Sequence, residues 1–522
     1  TYRGELYLEL HRGTLTNQHT IKRNNRKSEY ALRDLEIMTV NEAVKAGKAA
    51  DSEEIAPLYE TLLINQFHDI LPGTCINKAH VESRAQTTEL IKTAKEKTAA
   101  LIKAEGDGKI TVINTLSFER NDVLFLKDIP EGMMIEGRYA QQRYTDLDGN
   151  NILLVAGVKI PAFGSVTLSL TEEEKRFNCN FVREGNKLSA PLYEITFAEN
   201  GTISEYFDKR AGRQIVKGEN YNTLLMAEDV PNSWDNWDVD ADYELKFRNV
   251  SNLVESEVVS VGRVAYIVRN KYQISEKSTV TQDMMFFADS AEIRFDTVID
   301  WQDNHQFLKA AFDSDVFDDF ARHEIQFGYA KRPTTRNTFE EQAKFEVLNH
   351  KYSDISEARY GVSVLNDCKY GISAKDGSLR LSLHKGGTRP DHMGDHDGLH
   401  RCVYSVLPHD TGFNSESVIK PSYMLNIPAI QTKGEFTADA LAGIEAENCF
   451  IEAIKPCEDA ENAFIVRVYE AEGAYTRTKM TFTDKAKKAV ITNMLEEETE
   501  EIALDGILTF RPFEIKTIKV YY

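Results

Sequence analysis

The sequence predicts an α+β, mostly β protein whose helices and strands are segregated along the chain. Two observations carry this reading. Apolar residues recur at helical spacing across residues 26–105; from Gly106-Asp107-Gly108 onward the pattern changes to short β-branched and aromatic runs between turn residues. Strands that follow a run of helices indicate separate layers, not a βαβ sheet. The 522 residues are enough for about three or four domains, each burying its own core.

The first helix is marked by Tyr30, Leu32, Leu35, Met38 and Val44. The second, 53–70, places Ile55, Leu58, Leu62, Leu63 and Phe67 three or four residues apart and is stopped by Pro72-Gly73. The third, 78–104, has Leu90, Ile91, Ala94, Leu101 and Ile102 opposite a lysine-rich solvated face. Runs at 110–113, 123–126 and 166–170 read as strands of a small β-sandwich over 106–180. A larger β region, 181–430, includes strand-like runs at 258–261, 292–295 and 360–365. Gln431-Thr432-Lys433-Gly434 reads as a linker into a last β domain, 431–522, whose final strand covers 515–521.

Bulk properties exclude some partners. A net charge of −21 repels nucleic-acid phosphates, and no apolar run approaches the roughly 20 residues a membrane span needs. Six cysteines (Cys75, Cys179, Cys368, Cys402, Cys449, Cys457) show neither zinc-ribbon nor disulfide-framework spacing. Cys449 and Cys457 could bridge neighbouring strands; reduced thiols in a cytoplasmic protein are the expectation.

The strongest chemical signal is Asn65-Gln66-Phe67-His68-Asp69-Ile70-Leu71-Pro72-Gly73-Thr74. It ends a helix with a potential metal-ligating imidazole beside a carboxylate that can accept sugar hydroxyls. The dipeptide alone is weak, since it recurs at His396-Asp397 and His409-Asp410. A second cluster, Arg389 to His400, holds three histidines at spacing four, but its two glycines and interspersed aspartates indicate a loop. Trp234-Asp235-Asn236-Trp237-Asp238 fits a sugar platform, although two tryptophans in a β domain are more often core or interface filler.

The 65–74 string resembles the second signature of the family 38 glycoside hydrolases, the retaining α-mannosidases. The start of the chain resembles the first signature: Gly4-Glu5-Leu6-Tyr7-Leu8-Glu9-Leu10-His11-Arg12-Gly13-Thr14, then Thr16, Gln18, Lys22-Arg23 and Asn25-Arg26-Lys27. Trp234 to Asp238, Leu365 to Gly371 and Arg511 to Thr517 extend the likeness to the C-terminus. The resemblance implies a three-helix segment followed by β-sandwiches, the large one of the galactose-mutarotase type. It also implies that residues 1–25 are the tail of an N-terminal catalytic barrel lying outside this chain.

By the same resemblance, His68 completes a site for one zinc ion, Asp69 binds a mannose hydroxyl and Gln66 orients the turn or contacts the sugar. Asp391, Asp397 and His400 lie on a loop reaching toward the substrate, and His11 or Arg12 borders the site. Leu15 stands where relatives often carry an aromatic residue, which removes an aromatic sugar contact there. No catalytic nucleophile or acid/base is assigned, because the matching barrel segment is not in the chain. The implied activity is hydrolysis of terminal α-mannosides or oligosaccharides by the intact protein, with this chain inactive alone. Self-association stays open. Two alternatives are kept: a carbohydrate-binding module, with an aromatic platform away from the barrel-facing edge, and a structural or oligomerisation module, with His68 and Asp69 buried and paired.

Overall fold

The computed structural model describes residues 5–7, 9–172, 179–389 and 398–522. Three helices open it: α1 (His19–Ala46), α2 (Ala56–Asn65) and α3 (Asn77–Leu101). Helix α1 begins seven residues before the predicted helical segment, so Lys22, Asn25 and Arg26 belong to it. It stops at Gly47, whose left-handed φ of 61° lets the following amides return to the Val44 and Ala43 carbonyls.

Helix α1 is buried on several faces and acts as the spine of the molecule. Ala31, Leu32 and Leu35 meet Ile55 and Leu62 around α2, and Leu90 and Ala94 of α3. Ile37, Val40 and Val44 pack into the C-terminal sandwich, and Met38 meets Ile113 and Phe436. One charged stripe remains; it faces the large β domain.

The small sandwich pairs a four-stranded sheet with a three-stranded one over Ile110, Val112, Leu126, Ile135, Leu153 and Val155. Here the linker reading is corrected. Residues 431–434 lie inside the strand Ile430–Glu435, which pairs antiparallel with Glu105–Ile113 in the register Thr111↔Thr432. A half-exposed edge strand and a linker share the same Gln, Thr, Lys and Gly composition, so the sequence cannot separate them.

The large domain packs an eleven-stranded sheet against a nine-stranded one. Tyr193, Tyr206, Phe286, Phe295, Phe312 and Tyr404 contribute to the core between them. The C-terminal sandwich sets five strands against three, with Ile515–Tyr521 central between Ala463–Glu470 and Lys488–Thr492. The fold is thus mostly β with a segregated helical segment, as predicted. All six cysteines are free; Cys449 and Cys457 flank one strand, Cys449–Pro456, and cannot bridge. Among the described residues no helix is long and apolar enough to cross a membrane.

Candidate functional site

Helix α2 ends at Asn65, earlier than the periodicity predicts, because the chain from Gln66 folds into successive tight turns. Amides of Ile70 and Leu71 return to the Phe67 carbonyl at 2.9 and 3.2 Å, Gly73 returns to Ile70 at 2.9 Å, and Thr74 to Asp69 at 3.0 Å. Gly73 has φ +79°, and a Cβ there would lie 2.4 Å from Asn17 Oδ1. The position therefore requires glycine for both conformation and space.

His68 and Asp69 project from this turn. Their side chains are 76% and 46% exposed, and His68 Nε2 lies 3.5 Å from Asp69 Oδ2. The Phe67 ring packs 4.4 Å from the imidazole. The Thr74 hydroxyl donates to Asp69 Oδ1 at 2.7 Å, which fixes the carboxylate and leaves Oδ2 toward His68. Beside the pair, Leu63, Ile64 and Phe67 are 62%, 64% and 60% exposed on the outer face of the α2 end.

Behind the turn lies a polar clamp. Lys22, nearly fully buried, donates from Nζ to Leu71 O at 3.0 Å, Pro72 O at 3.3 Å and Asn17 Oδ1 at 3.1 Å. Asn17 Nδ2 in turn donates to Asn236 O at 2.5 Å and Gly73 O at 3.4 Å. Burial first, and the Asp69 carboxylate second, push the Cys75 thiol up, so it stays a donor, with Sγ 2.9 Å from Asp69 O.

Gln66 differs from the expected sugar contact. Its amide nitrogen turns inward to Asn25 Oδ1 at 2.9 Å and Glu29 Oε1 at 3.1 Å, because the chain at the α2 C-cap points it at α1. Asn25 passes the network on to the Tyr370 hydroxyl at 3.1 Å.

The other sequence motifs converge on this region. Gly13 N donates to Trp237 O at 3.0 Å, and a Cβ on Gly13 would lie 2.7 Å from Asp238 O, so the glycine lets two motifs touch. Arg12 is buried: it donates to Ala343 O at 3.0 Å and stacks 4.3 Å from the Phe345 ring, which commits it to packing. Asp235 grips the Thr388 and Arg389 amides at 2.7 and 2.8 Å.

Trp234 is not core filler. It is exposed, with φ 51°, and stands edge-on to Trp237 at 5.6 Å.

Asp391 and Asp397 lie outside the described residues. His400 is not on a loop: it is buried in the strand Leu399–His409, paired with Ile299, because the ladder with Ile293–Asp300 extends to Leu399. Its ring stacks 4.6 Å from His384 and lies 5.4 Å from His19. Burial holds His19 well below the usual imidazole range, and the Lys369 ammonium 2.6 Å from Nδ1 adds to this.

Among the described residues, the side chains grouped closely enough to hold a metal are Cys457, Asp459 and Glu496 in the C-terminal sandwich. Lys519 Nζ already lies 2.7 Å from Asp459, and Lys455 Nζ 2.7 Å from Glu496, so lysine cations neutralise both carboxylates. His68 offers one imidazole and Asp69 one carboxylate, fewer donors than the usual four of a zinc site. They fit a zinc centre only as contributors to a larger ligand set.

Residues 9–104 match the alpha mannosidase middle domain, 188–393 the glycosyl hydrolases family 38 C-terminal domain, and 448–518 the family 38 C-terminal beta sandwich domain. The chain is 28% identical to human Alpha-mannosidase 2C1, covering 99% of this chain and 50% of that protein. It is also 28% identical to the Saccharomyces cerevisiae Alpha-mannosidase, covering 100% of this chain and 49% of the other. The chain thus spans about half the length of the curated relatives it matches. An alpha-mannosidase crystal structure from Enterococcus faecalis V583 shares the fold, with TM-score 0.78 at 15% identity over 98% of this chain and 68% of that one. The chain belongs to glycosyl hydrolase family 38 and corresponds to its middle and C-terminal domains.

Proposed function

We propose that this chain is the C-terminal portion of a zinc-dependent retaining α-mannosidase acting on terminal α-mannosides. In this reading it supplies His68 and Asp69 to an active site whose catalytic carboxylates and other zinc ligands come from a barrel domain. The observation that carries it is the His68–Asp69 pair: exposed, held on a rigid turn, and flanked by the uncovered apolar face of Leu63, Ile64 and Phe67. Surfaces of that kind mark an interface.

His68 offers a neutral imidazole nitrogen to the metal. Asp69 keeps Oδ2 for a sugar hydroxyl while Thr74 occupies Oδ1. Gln66 acts at second hand, tying the turn to Asn25 and Glu29. Zinc, when bound, supplies Lewis-acid character that polarises the hydroxyls it contacts. Retaining chemistry needs two carboxyl groups about 5–5.5 Å apart across the scissile bond. We assign that pair to the barrel.

Specific observations weigh against the alternatives. A structural module requires His68 and Asp69 buried, and they are exposed. A separate sugar-binding module requires an aromatic platform away from this edge. Trp234 instead sits on the loop tied to the same turn through Asn236 and Asn17. A cytoplasmic location and zinc as the metal belong to this proposal.

The test is the steady-state kinetics of the intact protein with p-nitrophenyl α-mannoside and its Asp69→Asn variant. Loss of a charged hydrogen bond to a hydroxyl is worth about 1.5–3 kcal/mol, a ten- to hundredfold loss in kcat/KM. Unchanged kinetics refute the assignment of Asp69.

A further inference from the structure

We propose that Trp234 is a platform for the leaving group, the sugar unit to which the terminal mannose is attached, and that it makes the site prefer a saccharide there. The proposal rests on the mannosidase reading above and adds a specificity-determining residue outside the His68–Asp69 turn.

Trp234 combines two features that a residue kept for stability does not show together. It is 58% exposed, and its backbone lies in the left-handed region at φ 51°. A bulky residue rarely adopts that conformation, and holding it there costs free energy. Burial does little to offset the cost, because most of the residue stays in water. Strain kept at an exposed position points to a task for the side chain.

The loop around it is firmly held. The Trp234 carbonyl accepts from the amides of Trp237 at 2.8 Å and Asp238 at 3.2 Å, and the Trp237 carbonyl accepts from Gly13 N at 3.0 Å. The Asp235 carboxylate accepts from the Thr388 and Arg389 amides at 2.7 and 2.8 Å. The Trp237 ring braces the Trp234 ring edge-on at 5.6 Å. The indole is therefore presented on a fixed loop.

That loop is joined to the site turn by one side chain. Asn17 Nδ2 donates to the Asn236 carbonyl at 2.5 Å and to the Gly73 carbonyl at 3.4 Å. Two residues along from Asn236 is Trp234; the chain that closes at Gly73 carries His68 and Asp69. A single bridging amide sets the two loops apart by the scale of a neighbouring sugar unit.

Their chemistries are complementary. His68 and Asp69 present polar atoms suited to a metal and to hydroxyls. The indole presents a flat apolar face, which suits the apolar face of a pyranose ring. A leaving group without a ring gains nothing from it.

The experiment compares kcat/KM of the intact protein for α-mannosyl fluoride, whose leaving group has no ring, and for whichever α-linked mannobiose it cleaves fastest. The variants are Trp234→Gly, Trp234→Leu and Trp234→Phe. Glycine adopts the left-handed conformation freely, so Trp234→Gly removes the ring and relieves the strain. Trp234→Leu keeps bulk without an aromatic face and carries the test if the glycine variant misfolds. The inference expects the ratio of mannobiose to fluoride kcat/KM to fall at least tenfold in Trp234→Gly and Trp234→Leu, and to be largely kept in Trp234→Phe. An unchanged ratio in the glycine and leucine variants overturns it, whether both activities fall together or neither falls. Asp69→Asn separates the two readings: if it impairs both substrates while the Trp234 variants leave the ratio unchanged, this inference fails and the proposed function stands. If the wild type cleaves neither substrate, the proposed function fails and takes this inference with it.

Discussion

The Thr74 hydroxyl donates to Asp69 Oδ1 at 2.7 Å across a five-residue turn, so one carboxylate oxygen is fixed and the other is left facing His68. Thr74→Val removes that bond and keeps the side-chain shape. In the intact protein it should cost about 1 kcal/mol of transition-state binding, roughly a fivefold drop in kcat/KM. Steady-state kinetics check it, and zinc content should stay unchanged.

Lys22 holds the same turn from behind. Lys22→Met leaves the Leu71 and Pro72 carbonyls without their cationic donor. The local cost should be about 2 kcal/mol, so amide exchange at Leu71, Gly73 and Thr74 should speed up roughly thirtyfold. Amides in the C-terminal sandwich should be unaffected.

Gly73 and Gly149 offer a controlled comparison. Their φ values are +79° and +81°, but a Cβ meets Asn17 at 2.4 Å in the first case and nothing within 4 Å in the second. Gly149→Ala should cost about 1–2 kcal/mol, the price of the left-handed conformation. Gly73→Ala should cost distinctly more in chemical denaturation, the excess measuring the contact with Asn17.

Much of this was legible in the sequence. The three helices and the final strand follow from apolar spacing, even though α1 buries several faces and the others fewer. The His68–Asp69 turn was legible from Pro72-Gly73, which rules out a continuing helix, although the helix already ends at Asn65 and the pair sits in the turns between. Residues 431–434 were misread because a polar edge strand looks like a linker. His400 was misread because adjoining glycines and aspartates masked the start of its strand. The roles of Lys22 and Asn17 were missed: a buried lysine and a solvated one look the same until their partners, about 50 and 219 residues away, are placed. The polar stripe of α1 was the available signal, and its spacing alone could not say which side it faced.

Glu36 provides a pH test. Burial on α1 pushes its carboxyl up from 4.5 to about 7, against the hydrogen bond from the Tyr59 hydroxyl at 2.9 Å, which favours the ionised form. The folded state therefore holds a proton that the unfolded state releases near pH 4.5. The stability this contributes is fully present below pH 4.5, is lost as pH rises toward 7, and is absent above. The span corresponds to about 3 kcal/mol. Glu36→Gln should flatten this part of the stability profile and leave the variant the more stable of the two at pH 8. Parallel urea denaturation at pH 5 and pH 8 checks it.

The central claim is that His68 completes a metal-dependent mannosidase site which this chain does not hold by itself. The most direct measurement takes zinc content and p-nitrophenyl α-mannoside hydrolysis together, for the intact protein, its His68→Ala variant and this chain alone. The account predicts zinc and activity in the intact protein, loss of both in the variant and neither in the isolated chain. Hydrolysis by the isolated chain, or full zinc and activity in His68→Ala, would contradict it.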